Sequence, residues 1–436
     1  MKKKGILSIW WLVLILAAGL IIRLALIRNP GYGYDVGLDQ GWGVSAMKLG
    51  LAQSYTAQVN GTGLPNYPPF SIMLFDLSAQ TLQWLSPNFD VHGTLYLIAI
   101  KIPAILADLG TALILFSILS RWKGRHAGLL AALIYVLHPA VFHDSAFWGQ
   151  TDSIYTFFIL ASLASYVSRQ MLLAGALIAL AVLTKMQAVM LVPLFLFLFI
   201  AAGWKAFLKG FIGGLAVTAI VLLPFAIGGT LHAVIDVYRN ATSYFTIISS
   251  DAYNFWWSMY GDAAGNTHDT DLLFNVIAFR TVGFFFFTIS YLFVLVALIQ
   301  SLMRASQEKQ AALSVFAAAA FINLAFFVWN TQMHERYLFP FVALGLPLVF
   351  INRRAAVLYG LISFLFYMNL LAWLPAGSLD RAIFAQFPQV DVFFATCQVI
   401  LFFFFARFIL DCRKILQPKK RLAMMLPTWL TLRGMR

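Results

Sequence analysis

The sequence has few charged residues. Asp, Glu, Lys and Arg make up 11% of its 436 residues, whereas they average about a quarter of a soluble globular chain. Hydrophobic residues make up 61%. Because no soluble fold could bury so much apolar surface, the composition excludes a soluble globular protein and indicates a polytopic membrane protein.

Cysteine is also scarce. Cys397 and Cys412 are the only two, and they fall near opposite ends of one predicted membrane helix, roughly 22 Å apart at about 1.5 Å of rise per residue. That distance is too long for a disulfide, so the two cannot pair with each other. Cysteine therefore indicates neither a particular chemistry nor a redox compartment.

Internal repetition is missing from the sequence as well. It has no heptads, no repeat of fixed period and no low-complexity tract, and its two halves lack matching helices broken by Gly or Pro. Inverted-repeat transporters often show such matching segments. Their absence weakens a transporter interpretation.

What the sequence does contain is long apolar runs. A helix of about 20 apolar residues crosses a hydrocarbon core of ~30 Å, and the N-terminal run fits such a retained helix better than a cleaved signal peptide. The runs predict an all-α, polytopic integral membrane protein of about 12 transmembrane helices. The predicted spans are 6–27, 94–120, 126–142, 148–167, 170–184, 187–202, 207–228, 273–302, 311–329, 336–351, 355–372 and 391–412.

The basic residues predict how these helices are oriented. The formal net charge is +13, which would suggest nucleic acid as a partner of a soluble chain. In a membrane protein, short cytoplasmic loops collect Lys and Arg. With the N-terminal MKKK in the cytoplasm, every inner connector is basic, as in 121–125 and 353–354. Both termini are then cytoplasmic, with a basic tail over 413–436, and the bilayer rather than nucleic acid is the expected partner.

The opposite, extracytoplasmic face carries the long loops. They cover 28–93, 228–272 and 373–390 within a single predicted transmembrane domain, 1–412. All segments rich in polar and aromatic side chains emerge on this face. Such a distribution predicts one site there.

Two carboxylates open the first outer loop, NPGYGYDVGLDQGWG. Asp35 and Asp39 stand four residues apart, and three glycines (Gly31, Gly33, Gly37) allow sharp turns as the chain leaves the membrane. A short interfacial helix over 38–50 would place Asp39 in its early turns and Asp35 before it. The alternative is that both are ordinary solvated loop acids.

Proline marks a second feature of this loop. In NYPPF, Pro68 and Pro69 fix their own φ and move Tyr67 away from helical geometry. The chain is therefore expected to be extended there before a second interfacial helix begins. A plain turn is the alternative.

A dense polar segment, HPAVFHDSAFWGQTD, lies at the outer end of the third and fourth spans. It holds His138, His143, Asp144, Gln150 and Asp152 within 15 residues. The spacings match no common zinc pattern and Gln is a poor ligand for transition metals, so a metal site is the less favoured alternative. Amide, carboxylate and indole groups suit a hydrogen-bonding rim for a sugar or phosphate better.

Basic residues stand in two further outer segments. Lys185, in LTKMQ, is predicted at the outer mouth, where interfacial snorkelling is the alternative. The segment NTQMHER places His334, Glu335 and Arg336 side by side between two apolar runs. His334 and Arg336 offer cationic or donor groups for an anionic lipid headgroup, with Glu335 to orient or partly neutralise them. A simple salt bridge in an outer loop is the alternative.

In this order the motifs resemble those of the GT-C superfamily of polytopic glycosyltransferases, nearest to prokaryotic relatives of the GPI mannosyltransferases and to the dolichyl-phosphate-glucose-dependent glucosyltransferases. Asp35 and Trp42 reproduce a seven-residue Asp-to-Trp spacing. Other segments are similar to the YPP, HFQYN, KQM and HEK motifs of the glucosyltransferases; they are Tyr67 to Pro69, Phe147 to Asp152, Lys185 to Gln187 and His334 to Arg336. The departures are Phe147-Trp148 in place of His-Phe, Arg336 in place of Lys, and a shorter chain, and they leave the sugar and the acceptor undecided.

The resemblance implies a GT-C type helical bundle and inverting transfer of a hexose, mannose by family likeness, from a polyprenyl-phosphate donor to a hydroxyl of a glycan, glycolipid or protein. Asp35 would be the general base, and three basic residues would bind the donor phosphate (His334, Arg336, Lys185). No cofactor or metal is expected. Supporting or sugar- and acceptor-binding roles fall to Asp39, Trp42, Tyr67, His143, Asp144, Trp148, Gln150, Asp152, Gln187, Glu335 and Arg239.

Two other functions stay open at this point. A transporter or lipid flippase would use the intramembrane residues Lys101 and Asp108, which lie seven apart on nearly one helical face and would otherwise pair within the bundle. A non-catalytic subunit of a polysaccharide assembly complex is the second. The outer loop from Gly228 to Asp271, rich in Tyr and Trp, is a candidate for acceptor binding.

Overall fold

The computed structural model describes residues 2–59, 61–305, 307–387 and 389–415. The predicted basic tail, 413–436, lies outside these residues from 416 onward. Helices dominate the described chain, as the apolar runs predict. In chain order they are α1 (Lys2–Leu26), α2 (Gly33–Leu49), α3 (Pro69–Leu85), α4 (Thr94–Lys123), α5 (Arg125–Val136), α6 (Pro139–Phe142), α7 (Asp152–Val167), α8 (Met171–Thr184), α9 (Val192–Ala201), α10 (Trp204–Ile227), α11 (Leu231–Arg239), α12 (Phe255–Tyr260), α13 (Phe279–Arg304), α14 (Glu308–Trp329), α15 (Phe339–Val349), α16 (Arg353–Trp373), α17 (Ser378–Gln386) and α18 (Val390–Ile415).

Shorter elements connect these helices. There are 3₁₀ helices over Leu51–Tyr55, Met186–Leu191 and Gly261–Gly265, and a π-helix over His143–Trp148. The strands have two residues each: β1 (Ser249–Ser250), β2 (Leu272–Leu273), β3 (Ile277–Ala278) and β4 (Met333–His334). β1 pairs with β4 in parallel, and β2 pairs with β3 in antiparallel fashion.

Each of the twelve predicted spans contains a helix. Among the described residues, 7 helices are long and apolar enough to cross a membrane, or 8 if the bent pair Arg125–Val136 and Pro139–Trp148 is one span. Shorter apolar helices, Asp152–Val167, Met171–Thr184, Met186–Ala201 and Phe339–Val349, occupy the remaining predicted spans. The chain is a multi-pass membrane protein, and the number twelve stays a prediction.

The chain divides into two compact units. Unit 1 comprises Met1–Tyr166, Leu172–Val189 and Gly210–Tyr244, and unit 2 comprises Val167–Met171, Met190–Lys209 and Phe245–Arg436. The predicted single domain over 1–412 stays a prediction.

In unit 1, the first outer loop forms two helices, as predicted, but the first begins earlier than expected. α2 starts at Gly33 rather than at 38, so Asp35 lies in its first turn instead of before it. A carboxylate is favourable there because the helix N-terminus carries partial positive charge. Of the three glycines expected to turn the chain, only Gly31 has a positive φ (67°), while Gly33 and Gly37 are helical. The second helix, α3, begins at Pro69 after extended Pro68, as the YPP segment predicts.

Buried charges hold the core of unit 1. Arg23 donates from Nε to Asp108 at 2.8 Å, and both side chains are fully buried. Ser145 and Ser153 each donate to Asp108 at 2.6 Å. The expected pairing of Lys101 with Asp108 is wrong: the ammonium of Lys101 donates to three backbone carbonyls, those of Asn29, Ala146 and Phe147. The competing Arg23 guanidinium reaches Asp108 from α1, which the spacing within α4 could not reveal.

Unit 2 packs around α14, whose residues from Ala312 onward are almost all buried. A run of Ala at 317–320 lets neighbouring helices approach α14 closely, and α13, α15 and α18 contact it. After α14 the chain leaves helical geometry and enters β4, which pairs with β1 and so ties the segment 333–334 to residues 249–250.

Candidate functional site

Asp35 and Gln150 meet in unit 1, although 115 residues separate them. The Gln150 amide donates to Oδ2 of Asp35 at 2.7 Å. Asp35 is half-buried, whereas Gln150 is buried. The hydrogen bond holds the carboxylate in one orientation while its exposure leaves it reachable, which is what a proton acceptor in a reaction needs.

The turn that carries Gln150 depends on two glycine positions that larger side chains could not occupy without strain. The π-helix His143–Trp148 ends at Gly149, with φ of 103°, and the amides of Gly149 and Gln150 both donate to the carbonyl of Asp144 at 3.0 Å. On the other side, Gly31 packs so tightly on the Trp148 carbonyl that a Cβ would overlap its oxygen. The two glycines therefore bring the first outer loop and this turn together.

The predicted aromatic residues of the first outer loop pack on each other. The indole of Trp42 lies 5.4 Å from the ring of Tyr67, centroid to centroid, and donates from Nε1 to the carbonyl of Gly63 at 2.8 Å. Tyr55 donates its hydroxyl to the carbonyl of Tyr67 at 2.7 Å. These contacts fix the extended stretch before α3.

Lys185 forms a buried ion pair in unit 1. Its Nζ lies 2.6 Å from Oδ2 of Asp152, with side-chain exposures of 3% and 0%. The same ammonium lies over two tyrosine rings, 5.4 Å from the centroid of Tyr67 and 5.9 Å from that of Tyr155. The structure thus replaces the snorkelling interpretation by a fixed, enclosed cation.

In unit 2, His334, Glu335 and Arg336 form one buried group. Arg336 donates from Nη1 to Glu335 at 2.7 Å, and Nδ1 of His334 lies 3.9 Å from the other oxygen of Glu335. Aromatic rings enclose the group: Phe245 meets the His334 ring edge-on at 4.4 Å, and Tyr337 lies 5.8 Å below the guanidinium. The group is too enclosed to be a salt bridge of an exposed loop.

Burial raises the pKa of Glu335 to about 7, although the neighbouring Arg336 lowers it. The carboxylate of Asp251 contributes a further rise. Near neutral pH, Glu335 therefore exchanges between a charged form that cancels Arg336 and a neutral form that does not.

Asp269 is a supporting residue that no sequence motif indicates. It is fully buried, accepts hydrogen bonds from Thr331 at 3.1 Å and from Gln332 at 2.7 Å, and lies 3.6 Å from Arg280. Gln332 has a φ of 63°, in the left-handed region, and directly precedes β4, which contains His334. Asp269 stabilises this turn from more than 60 residues away, and no local spacing signals it.

The other predicted site residues lie in unit 1 in varied surroundings. Asp39 is buried near Tyr96, and the His143 ring stacks on Phe147 at 4.9 Å. Asp144 and Trp148 are buried, and Gln187 lies in a 3₁₀ helix. Arg239 is exposed at the end of α11, 3.2 Å from Asp236.

Three side-chain amide oxygens in unit 1 lack a hydrogen-bond donor among the described residues. They belong to Asn66, Gln150 and Gln187, and all three atoms are buried. Buried polar atoms are normally paired, so such oxygens suit hydroxyl groups of a ligand. No three His, Cys, Asp or Glu side chains cluster as a metal site within the described ranges.

A family model matches part of this chain. The model of the dolichyl-phosphate-mannose-protein mannosyltransferase family matches residues 89–227, which include Gln150, Asp152 and Lys185. No curated protein sequence matches the chain significantly.

Two solved structures are similar to the structure of this chain. ArnT from Cupriavidus metallidurans bound to undecaprenyl phosphate has a TM-score of 0.53 at 14% identity, over 93% of this chain and 73% of that chain. Its apo state has a TM-score of 0.49 at 13% identity, over 95% and 78%. The family match and the fold of the bound structure confirm the predicted resemblance to GT-C glycosyltransferases.

Proposed function

We propose that this chain transfers a hexose from a polyprenyl-phosphate donor to an acceptor hydroxyl, with inversion at the anomeric carbon. The observation that carries the proposal is the half-buried carboxylate of Asp35, which lies in the first turn of α2 and accepts a hydrogen bond from Gln150. The matched family model, whose description names a dolichyl-phosphate-mannose donor, supports a lipid-phosphate donor and mannose as the first sugar to test.

Asp35 is the general base of the proposed step. The acceptor hydroxyl attacks the anomeric carbon as its proton passes to Asp35, and the bond from that carbon to the phosphate oxygen breaks. The bonding electrons leave with the lipid phosphate, which is already a stable anion. A second carboxyl acid, which glycosidases need for an alcohol leaving group, is therefore not required.

The phosphate is assigned to His334 and Arg336 of unit 2. Arg336 is planar, permanently charged and suited to two-point contact with phosphate. Its enclosure by aromatic rings and by Glu335 keeps the guanidinium in one place, so little reorganisation is needed when negative charge develops on the leaving group.

Lys185 is proposed as a third phosphate-binding residue. Its ammonium is already held by Asp152, so the pair presents a positioned but partly neutralised cation. The unpartnered oxygens of Gln150 and Gln187 are proposed to accept hydroxyls of the sugar. The distribution of basic residues supports an extracytoplasmic site.

The test compares wild type with Asp35→Asn, purified into lipid nanodiscs. Consumption of polyprenyl-phosphate mannose and polyprenyl-phosphate glucose is measured with membrane glycolipid extract as acceptor. Loss of the base should lower turnover about 10²- to 10⁴-fold. Asp90→Asn is the matched control, because Asp90 is an exposed acid of the same outer loop. Wild-type turnover by Asp35→Asn would contradict the assignment of the base.

A transporter or flippase is a less favoured function. The observation that suggested it was the pair of intramembrane charges, Lys101 and Asp108. Both are fully buried and bonded to neighbouring groups of unit 1. They are accounted for by packing, so no observation in the described chain now favours a translocation path.

A further inference from the structure

A small cleft in unit 2 is not used by the proposed reaction. It has a volume of about 190 Å³ and is lined by three carboxylates (Asp251, Asp262, Asp391) and by aromatic side chains that include Trp257 and Trp373. Pockets for drug-sized ligands start at about 300 Å³, so this cleft has room for one small group.

The walls of the cleft are held in place by hydrogen bonds. The carboxamide of Asn369 accepts from the amide of Tyr253 at 2.9 Å and donates to the carbonyl of Asp251. Trp257 donates from Nε1 to Asp391 at 3.0 Å. Asp251 itself has a φ of 56°, which a non-glycine residue adopts only when its surroundings enforce it. The cleft is therefore preformed.

Two buried polar atoms at the cleft have no hydrogen-bond partner among the described residues. They are the hydroxyl of Tyr253, a residue that is 2% exposed, and Oδ1 of Asp391. The electrostatic neighbours of the Tyr253 hydroxyl are Asp391 and Asp251, which places it among the lining carboxylates. An unpaired buried hydroxyl costs free energy unless a ligand satisfies it.

The charge of the lining selects the ligand. None of the described lining residues is Lys, Arg or His, so a phosphate or carboxylate group would meet only repulsion. Burial and the neighbouring carboxylates of Asp262 and Asp391 raise the pKa of Asp251 to about 6. Carboxylates accept hydrogen bonds from hydroxyls, and indole rings present flat apolar faces to a sugar ring.

We propose that this cleft binds an uncharged sugar residue. Hydroxyls of the sugar donate to Asp391 and Asp262, another accepts from the hydroxyl of Tyr253, and the sugar ring packs against the indoles. Asp251 pairs with His334 through a backbone bridge, so the cleft lies directly beside the proposed phosphate-binding segment of the same unit. The sugar is assigned to the acceptor; that role rests on the proposed glycosyl transfer, whereas binding itself does not.

The binding test uses ligand-observed NMR on the full chain in nanodiscs, because sugar-headed detergents would compete. The probes are methyl glucoside and methyl mannoside, with glucuronate as the anionic and methyl glucosaminide as the cationic comparison. The neutral glycosides should bind and glucuronate should not. Tyr253→Phe removes one hydroxyl without changing the ring and should weaken binding about 2- to 10-fold. Tyr260→Phe, at the end of the short helix that follows Tyr253 and outside the lining, is the control.

Any of several results would overturn the proposal: unchanged binding in Tyr253→Phe, binding of glucuronate equal to that of the glucoside, or binding of the glucosaminide alone, which would indicate a cation site. Absence of binding by every saccharide, close to its solubility, would do the same. The transfer assay separates this from the proposed function. Sugar binding without any transfer would contradict the proposed glycosyl transfer but not the proposed sugar site. Transfer by Tyr253→Phe with the acceptor KM of wild type would contradict the acceptor role of that site.

Discussion

The buried pair of Lys185 and Asp152 allows the structural and functional roles of a charged residue to be separated. Their charged atoms lie 2.6 Å apart, and both side chains are almost wholly buried. Lys185→Met removes the cation with little change in side-chain length, Asp152→Asn removes the anion, and the double variant removes both. Each variant is made in the full chain.

The magnitudes follow from burial. Removing one partner leaves an uncompensated buried charge, which costs about 3–5 kcal/mol, whereas replacing both by neutral residues is often near neutral. Lys185→Met also loses cation–π contacts with Tyr67 and Tyr155, each about 0.5–1 kcal/mol. Each single variant should therefore lose at least about 3 kcal/mol, and the double variant should lose much less than the sum of the two.

Reversible unfolding in increasing SDS gives the free energies, and the apparent KM for the polyprenyl-phosphate donor gives the functional effect. The double variant should regain stability while its donor KM stays high, because the ammonium proposed to bind phosphate is gone. Single variants that lose under about 1 kcal/mol would refute the energetic reasoning. A stable double variant with the donor KM of wild type would refute the phosphate role of Lys185 and leave the pair a purely structural one.

Three further predictions concern the turn, the cation and the acid of the candidate site. Gly31→Ala should lower both stability and transfer, since the new Cβ would overlap a backbone carbonyl and the residue has a φ of 67°. Gly33→Ala is the control, because nothing lies within 4 Å of a Cβ there, and it should keep both. Thermal unfolding measures the stability and turnover measures the transfer. Arg336→Ala should raise donor KM or lower kcat, and unchanged values of both would remove it from the proposal. Burial raises the pKa of Glu335 from 4.5 to about 7. Because the folded protein then keeps a proton that the unfolded chain releases, stability should fall as pH rises through this window, and donor KM should rise as the charged carboxylate cancels Arg336. Glu335→Gln should weaken both pH dependences, whereas Glu308→Gln, at an exposed carboxylate, should keep them.

The helical architecture was predictable because apolar runs of membrane length record helix positions directly. Each predicted span contains a helix, and Pro69 marks the start of α3 as expected. The start of α2 was not predictable from glycine content, since Gly33 and Gly37 are compatible with both a turn and a helix. Gly31 differs from them by its positive φ and by the close approach of the Trp148 carbonyl, and that contact joins segments far apart in sequence.

Partners across long separations were the part that the sequence did not reveal. Spacing places residues on a face of one helix, but it does not state which face meets which neighbour. Gln150 was expected to contribute to a polar rim, yet nothing in its spacing assigned it to Asp35, 115 residues away. Asp269 has no signal in the sequence for the same reason, since four elements (β2, β3, α13 and α14) separate it from its two hydrogen-bond donors.

The intramembrane charges show how a buried ionisable group can serve function without touching a ligand. Arg23 and Asp108 are fully buried, and Ser145 of the π-helix donates to the same carboxylate. Lys101 donates to the carbonyls that end this π-helix, just before the turn that carries Gln150. Charged groups at membrane depth are expensive, so their presence calls for a compensating role. Here the buried charges hold the π-helix and the turn in which Gln150 orients Asp35. A neutral replacement of one of these charges should therefore lower transfer by changing the geometry of the hydrogen bond between Gln150 and Asp35, not by removing a contact with substrate.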